Sequence, residues 1–205
     1  MRGFPGCAFG IAILLAGPAA AQNTIGAVDK LQGEATGTYA GETAPLAAAE
    51  TVVLNEVVAT ETATRLEIGF DDGTTLTLGE RAQMTLDSFV YAPTQGTGSM
   101  KMRVVGAFRF VSGQAAKVAG TTTITTPVAS IGIRGTELWG GPIDDQALGV
   151  FLIEGEVTVS NAAGTQVLNQ PGQGTNIAAP GEAPGPVTFW PQDKVDRALA
   201  TVTFQ

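Results

Sequence analysis

The chain has 205 residues, a formal charge of −8, no histidine and a single cysteine, Cys7. That length suits one domain of ordinary size, able to bury a core without cross-links. The acidity reads as a solubility device, with an acidic binding surface as the alternative, and the scatter of the few basic residues argues against nucleic acid or anionic lipid as a partner.

The first segment has the layout of a secretory leader. Arg2 supplies a short positive region, Ala8 to Ala16 an apolar run, and Ala19-Ala20-Ala21 a small-residue cleavage site before Gln22. Residues 1–21 are therefore expected to be a signal peptide removed near Ala21, which takes the charge from −8 to −9 by loss of Arg2. The apolar run is far shorter than the roughly 20 residues of a spanning helix, and no later segment is continuously apolar, so no membrane span is expected. Cys7 leaves with the leader, and no cysteine stands at the cleavage point to carry a lipid. The remaining chain has neither Cys nor His. Disulfides, thiolate nucleophiles, Ser-His-Asp relays and Cys/His zinc sites cannot be built from it, and no metal or cofactor is expected.

From Gln22 onward the sequence reads as short strands punctuated by glycine. Leu66 to Phe70 and Thr74 to Leu78 alternate apolar with other residues around an Asp72-Gly73 turn, the best hairpin signal in the chain. Further period-two runs are Met84, Leu86 and Ser88; Met100, Met102 and Val104; Phe108 and Phe110; Val150, Leu152 and Glu154; and Val157 with Val159. A weak internal echo accompanies them. Gly106-Ala107-Phe108 and Gly155-Glu156-Val157 each open a strand with glycine and point the second following residue inward, and Gly33-Glu34-Ala35 repeats this faintly. The unequal spacing predicts coils of unequal length, not a counted repeat array.

Two segments break the β pattern. Pro180 to Pro186 carries three prolines in seven residues and reads as an exposed extended strap over 180–190. Pro191 to Val202 then places Val195, Ala198, Leu199 and Val202 at helical spacing, a short amphipathic helix within 191–205 expected to pack across an open end of the β body, with docking to a partner as the alternative. The resulting expectation is an all-β domain over 22–179, a twisted β-solenoid-like roll of short strands with a short C-terminal helix, with a β-sandwich or barrel as the alternative.

The most specific stretch runs from Thr125 to Leu138: a Thr126-Pro127 entry, an apolar alternation through Val128, Ile131 and Ile133, and the triplet Arg134-Gly135-Thr136. This resembles the signature of the FecR-domain family. Leu31 to Ala35, Ala63 to Leu78, Gly106 to Gly113, Val150 to Val159 and Pro171-Gly172-Gln173-Gly174 are similar to other family segments, in the same order. The resemblance implies a β-rich periplasmic module associated with envelope sensing and binding. Founding members add a sigma-factor-binding cytoplasmic segment and one membrane span; here the leader stands in their place, so anti-sigma activity is not carried over. The implied signature positions are Thr126, Pro127, Gly132, Arg134, Gly135, Thr136 and Trp139.

Within that signature, Gly132 and Gly135 flank Arg134 and would let backbone approach closely on both sides. A guanidinium there is expected to act as an internal tie to carbonyls or to a carboxylate such as Glu137, the alternative being a grip on an anionic ligand. Glu154 and Glu156 lie two apart on an expected strand and should share one face, while Asp71-Asp72 and Asp144-Asp145 sit in turn-like segments. Paired acids can hydrolyse glycosides or hold calcium, but a solvated strand face and turn chemistry account for these six positions. Trp139 could stack on a sugar or cover the core. The expected function is an exported, non-enzymatic binding, sensory or scaffold module, periplasmic or extracellular, whose partner is an envelope polymer or protein. The alternatives are a self-associating surface protein and, more remotely, a carboxylate-dependent polysaccharide hydrolase.

Overall fold

Alternating burial runs through most of the chain. Leu66, Ile68 and Phe70 are buried while Arg65, Glu67 and Gly69 between them are partly open, as a strand with one face on a core requires. The computed structural model describes residues 23–92, 94, 97–115 and 122–205; the expected leader lies outside them. The first strands are β1 (Thr24–Gln32), β2 (Ala35–Tyr39), β3 (Glu42–Pro45), β4 (Thr51–Val53) and β5 (Val57–Thr60). The expected hairpin follows as β6 (Arg65–Phe70) and β7 (Thr75–Leu78), then β8 (Gln83–Ala92), β9 (Thr97–Val105) and β10 (Phe108–Val111). β11 (Thr122–Thr125) leads into a long hairpin of β12 (Ser130–Ile143) and β13 (Gln146–Asn161), and the chain ends with β14 (Gly164–Leu168), β15 (Gln173–Ile177), β16 (Thr188–Phe189) and helix α1 (Gln192–Ala200).

These strands form one continuous sheet that bends over itself into two layers. The first layer runs β3-β2-β5-β8-β9-β11, then the first half of β12, the second half of β13, and β14. The second runs β4-β1-β6-β7-β10, then the second half of β12, the first half of β13, β15 and β16. Beyond the outermost pairs, β3-β2 and β4-β1, strand numbers rise along both layers, so the chain winds back and forth between them as it advances. Neighbours pair antiparallel except β9 with β11. The expected all-β architecture with a short C-terminal helix is the one observed, and its ladders belong to one sheet folded into two layers. A single core fills the space between, with Leu66, Leu76, Phe108 and Leu138 from one layer meeting Met84, Met102, Ile131 and Val157 from the other.

The bend lies at the signature. Ile131 and Ile133 point inward on β12 before it, and Leu138 after it, so the inward parity changes within 134–137. On β13, Val150 and Leu152 point inward before Gly155, and Val157 and Val159 after it. Register shifts between Arg134 and Leu138 mark a β-bulge, which absorbs the extra residue and lets both strands pass from one layer to the other. Gly155 has φ +88, and a Cβ there would lie 2.2 Å from the Gly135 carbonyl oxygen, so only glycine fits. Thr136, 3% exposed, locks the bend. Its hydroxyl donates to the carbonyls of Glu156 (2.7 Å) and Arg134 (3.1 Å), and its N–H donates to Ser112 Oγ (2.9 Å). The sequence echo has the same origin: Gly33 and Gly106 share Gly155's backbone, with φ +89 and +90, and each stands where the chain crosses between layers.

α1 is shorter than the expected 191–202 and begins after Pro191, the extended N-cap. It does not close an open end of the β body. It lies on the outer face of the second layer, where Ala198 and Val202 pack with Trp139, Phe151 and Trp190. The end of the expected strap also joins the sheet, since Thr188 and Phe189 pair with Gly174 and Gln173.

Gly155→Ala should cost roughly 1–3 kcal/mol from backbone strain alone, with the clash against Gly135 adding to it. Thr136→Val should cost about 1–3 kcal/mol through acceptors left unpaired. Both losses are expected as lower urea midpoints, whereas Gly135→Ala, with nothing within 4 Å of its Cβ, should cost less than Gly155→Ala.

Glu56, 8% exposed at the turn before β5, accepts a hydrogen bond from Val53 N–H (3.0 Å). Burial raises its carboxyl above the ordinary glutamate range, the Val53 bond opposing and Glu50 reinforcing the shift. The folded state therefore holds this proton more tightly than the unfolded chain, and the associated stability is lost as pH rises through the folded value. Glu56→Gln is expected to melt higher than the parent at neutral pH, with the difference closing in acid, as followed by thermal unfolding across a pH series.

Candidate functional site

A row of polar side chains crosses the outer face of the second layer, one from each successive strand. Cross-strand register places Lys30 beside Glu67, Glu67 beside Thr77, and Thr77 beside Arg109. Arg109 then reaches Glu137, the residue that follows the signature triplet. Lys30 Nζ donates to Glu67 Oε1 (2.8 Å), Thr77 Oγ1 donates to Glu67 Oε2 (3.3 Å), and Arg109 donates to Glu137 Oε1 through Nε (2.9 Å) and Nη2. The Glu67 contact raises the Lys30 ammonium above its usual value.

This row is one side of a groove of about 690 Å³. Ile153 and the C-terminal residues Val195, Leu199, Val202 and Phe204 supply its apolar walls. α1 is fixed beside it by two kinds of contact. Trp139 is fully buried and donates from Nε1 to Thr201 Oγ1 (3.0 Å), and it meets Trp190 edge-on at 6.0 Å between centroids. Asp144 accepts from Arg197 Nη2 (3.0 Å) and pairs with Lys194 Nζ (3.3 Å); the Arg197 hydrogen bond, followed by that of Lys194, holds its carboxyl below the usual range. Lys194 Nζ also sits 4.1 Å over the Trp190 ring.

The signature residues occupy other places. Arg134 is exposed, and among the described residues its side chain has no hydrogen bond or ion pair, so the expected internal tie is absent; Glu137 goes to Arg109 instead. Gly132 does not mark a close approach, because a Cβ there would meet nothing nearer than 3.8 Å. Thr126 and Pro127 form a turn in which Thr126 Oγ1 accepts from Ala129 N–H (3.1 Å). Trp139 is no sugar platform, being sealed under α1. Glu154 and Glu156 are both exposed, with the left-handed Gly155 between them in place of a regular strand period. Asp144 and Asp145 form a two-residue hairpin loop at φ +51 and +59, and Asp72 is buried, accepting from Thr74 N–H (3.0 Å) and Ala115 N–H (2.9 Å). Sequence reasoning missed Lys30, Glu67, Thr77 and Arg109. The signal was faint: each is the polar partner in a period-two run, and only the strand register unites them.

The model of the FecR protein family matches residues 56–158, half of the chain, from the turn before β5 to the second half of β13. The protein belongs to the FecR family. No curated protein matches it. Two crystal structures of a candidate anti-sigma factor from Parabacteroides distasonis ATCC 8503, at 1.65 and 2.50 Å resolution, share its fold with a TM-score of 0.55 and 16% identity. The similarity covers 70% of this chain and 64% and 63% of those chains, so this chain spans less than two thirds of their length.

Arg134→Ala should leave the unfolding free energy from urea titration unchanged within about 0.5 kcal/mol, as for a surface position away from special features. A loss of about 1–3 kcal/mol would instead restore the internal-tie reading.

Proposed function

We propose that this chain is an exported FecR-domain module of the bacterial envelope that works in sensing or scaffolding by binding and not by catalysis. The observation that carries the reading is the chemistry of the groove: both of its acids, Glu67 and Glu137, are engaged in ion pairs, so the site offers recognition groups without a free acid and base pair. Family membership supports the sensory part, as does the shared fold with the candidate anti-sigma factor. The leader-like start supports export. The partner is an envelope polymer or protein.

Mass spectrometry of protein from the native host is expected to find an N-terminus at or near Gln22, in a soluble envelope or culture fraction. Incubation with peptidoglycan and envelope polysaccharides should give co-sedimentation without new reducing ends. Fragment release that disappears in Glu137→Gln would make the protein a hydrolase, and an uncleaved chain in the inner membrane would remove the export claim.

A further inference from the structure

The four charges of the groove sum to zero, yet they are not equally presented. The side chains of Lys30 and Arg109 are 63% and 42% exposed, whereas those of Glu67 and Glu137 are 19% and 20% exposed. The acids lie lower and are occupied by the cations. Lys30 uses one ammonium hydrogen on Glu67, and Arg109 spends Nε and one Nη2 hydrogen on Glu137, so among the described residues several cationic donors remain free at the groove. Opposite them the walls are aliphatic: Ile153, Val195, Leu199 and Val202, with Phe204 beneath Lys30 at 5.8 Å.

The walls also indicate what does not fit. A sugar needs an open aromatic face; of the two aromatic residues in the lining, Phe151 is buried and the Phe204 ring faces Lys30 Nζ at 5.8 Å. Free cationic donors on one side and plain hydrocarbon on the other match an anionic head on an apolar body. The volume lies within the roughly 300–1,000 Å³ of small-molecule sites.

We propose that this groove binds an aliphatic carboxylate, its head held by Arg109 and Lys30 and its chain laid along Leu199, Val202 and Ile153. The proposal deepens the binding reading above and rests on it only in taking the groove as the binding surface. The helix and tail that form the apolar wall lie outside residues 56–158, so this wall is supplied by a part of the chain beyond the family match.

Isothermal titration of the mature chain with decanoate, kept below its micelle concentration, tests the site. Saturable binding is expected, with decanol and acetate each at least tenfold weaker, because one lacks the charge and the other the chain. Arg109→Gln should weaken decanoate at least tenfold. Lys30→Gln, at an exposed position where folding is not at stake, should weaken it severalfold, and Leu199→Gln should weaken decanoate without creating affinity for acetate. Equal binding of decanol, no decanoate binding by the parent, or unchanged binding in both cation variants would overturn the proposal. If envelope polymer is captured while decanoate is not bound, the carboxylate assignment falls and the general binding reading stands. If decanoate binds and export fails, the groove assignment stands and the envelope reading falls.

Discussion

The β12–β13 hairpin belongs to both layers, and its passage between them constrains the remainder of the molecule. A strand that changes layers must also change which of its alternate side chains face inward, because the core lies on opposite sides of its path. Bulges at 134–137 and Gly155 make that change on both strands at once, with backbone so close that a Cβ at 155 would strike the Gly135 carbonyl. Thr136 fastens the two bulges by its bond to the Glu156 carbonyl and reaches β10's continuation through Ser112. The signature is thus a corner. Its conspicuous arginine points away from the corner, while its threonine and glycine neighbours hold it.

The same corner positions the groove. After the bulge, Trp139 projects outward from the second layer, as does Glu137, and these two residues define two chemically different regions of one face. Around Trp139 the surface is aromatic, with Phe151 and Trp190 stacked at 5.3 Å, and α1 seals it. Around Glu137 the surface is a row of ion pairs left open. Exposed pairs of this kind contribute about 0–1 kcal/mol each, too little to explain a charged row on stability grounds when apolar cover lies alongside.

Much of the β architecture was legible because strand periodicity is a local property. The Leu66–Leu78 hairpin, the inward Met and Phe runs, the helix after Pro191 and the glycine echo at Gly33, Gly106 and Gly155 follow from side-chain alternation and from the need for positive φ. Layer crossings made by Ala49, Ala63 and Arg81, all at positive φ, were not legible, since Ala and Arg carry no preference strong enough to announce the turn. Arg134 misled for a related reason: flanking glycines fit either a close approach or a bulge, and sequence does not distinguish them.

By itself the sequence determined the class of the protein: an all-β chain without thiol or imidazole chemistry, carrying the FecR signature, with an amphipathic helix after a proline-rich segment. These depend on composition and short-range pattern. Only the tertiary structure decided that Glu137 pairs with Arg109 and not Arg134, that Trp139 is buried under α1, and that Lys30, Glu67, Thr77 and Arg109 form one row facing the C-terminal residues. Those relations join positions dozens of residues apart, and they are fixed by strand register and by the bend at the signature, neither of which a local pattern encodes.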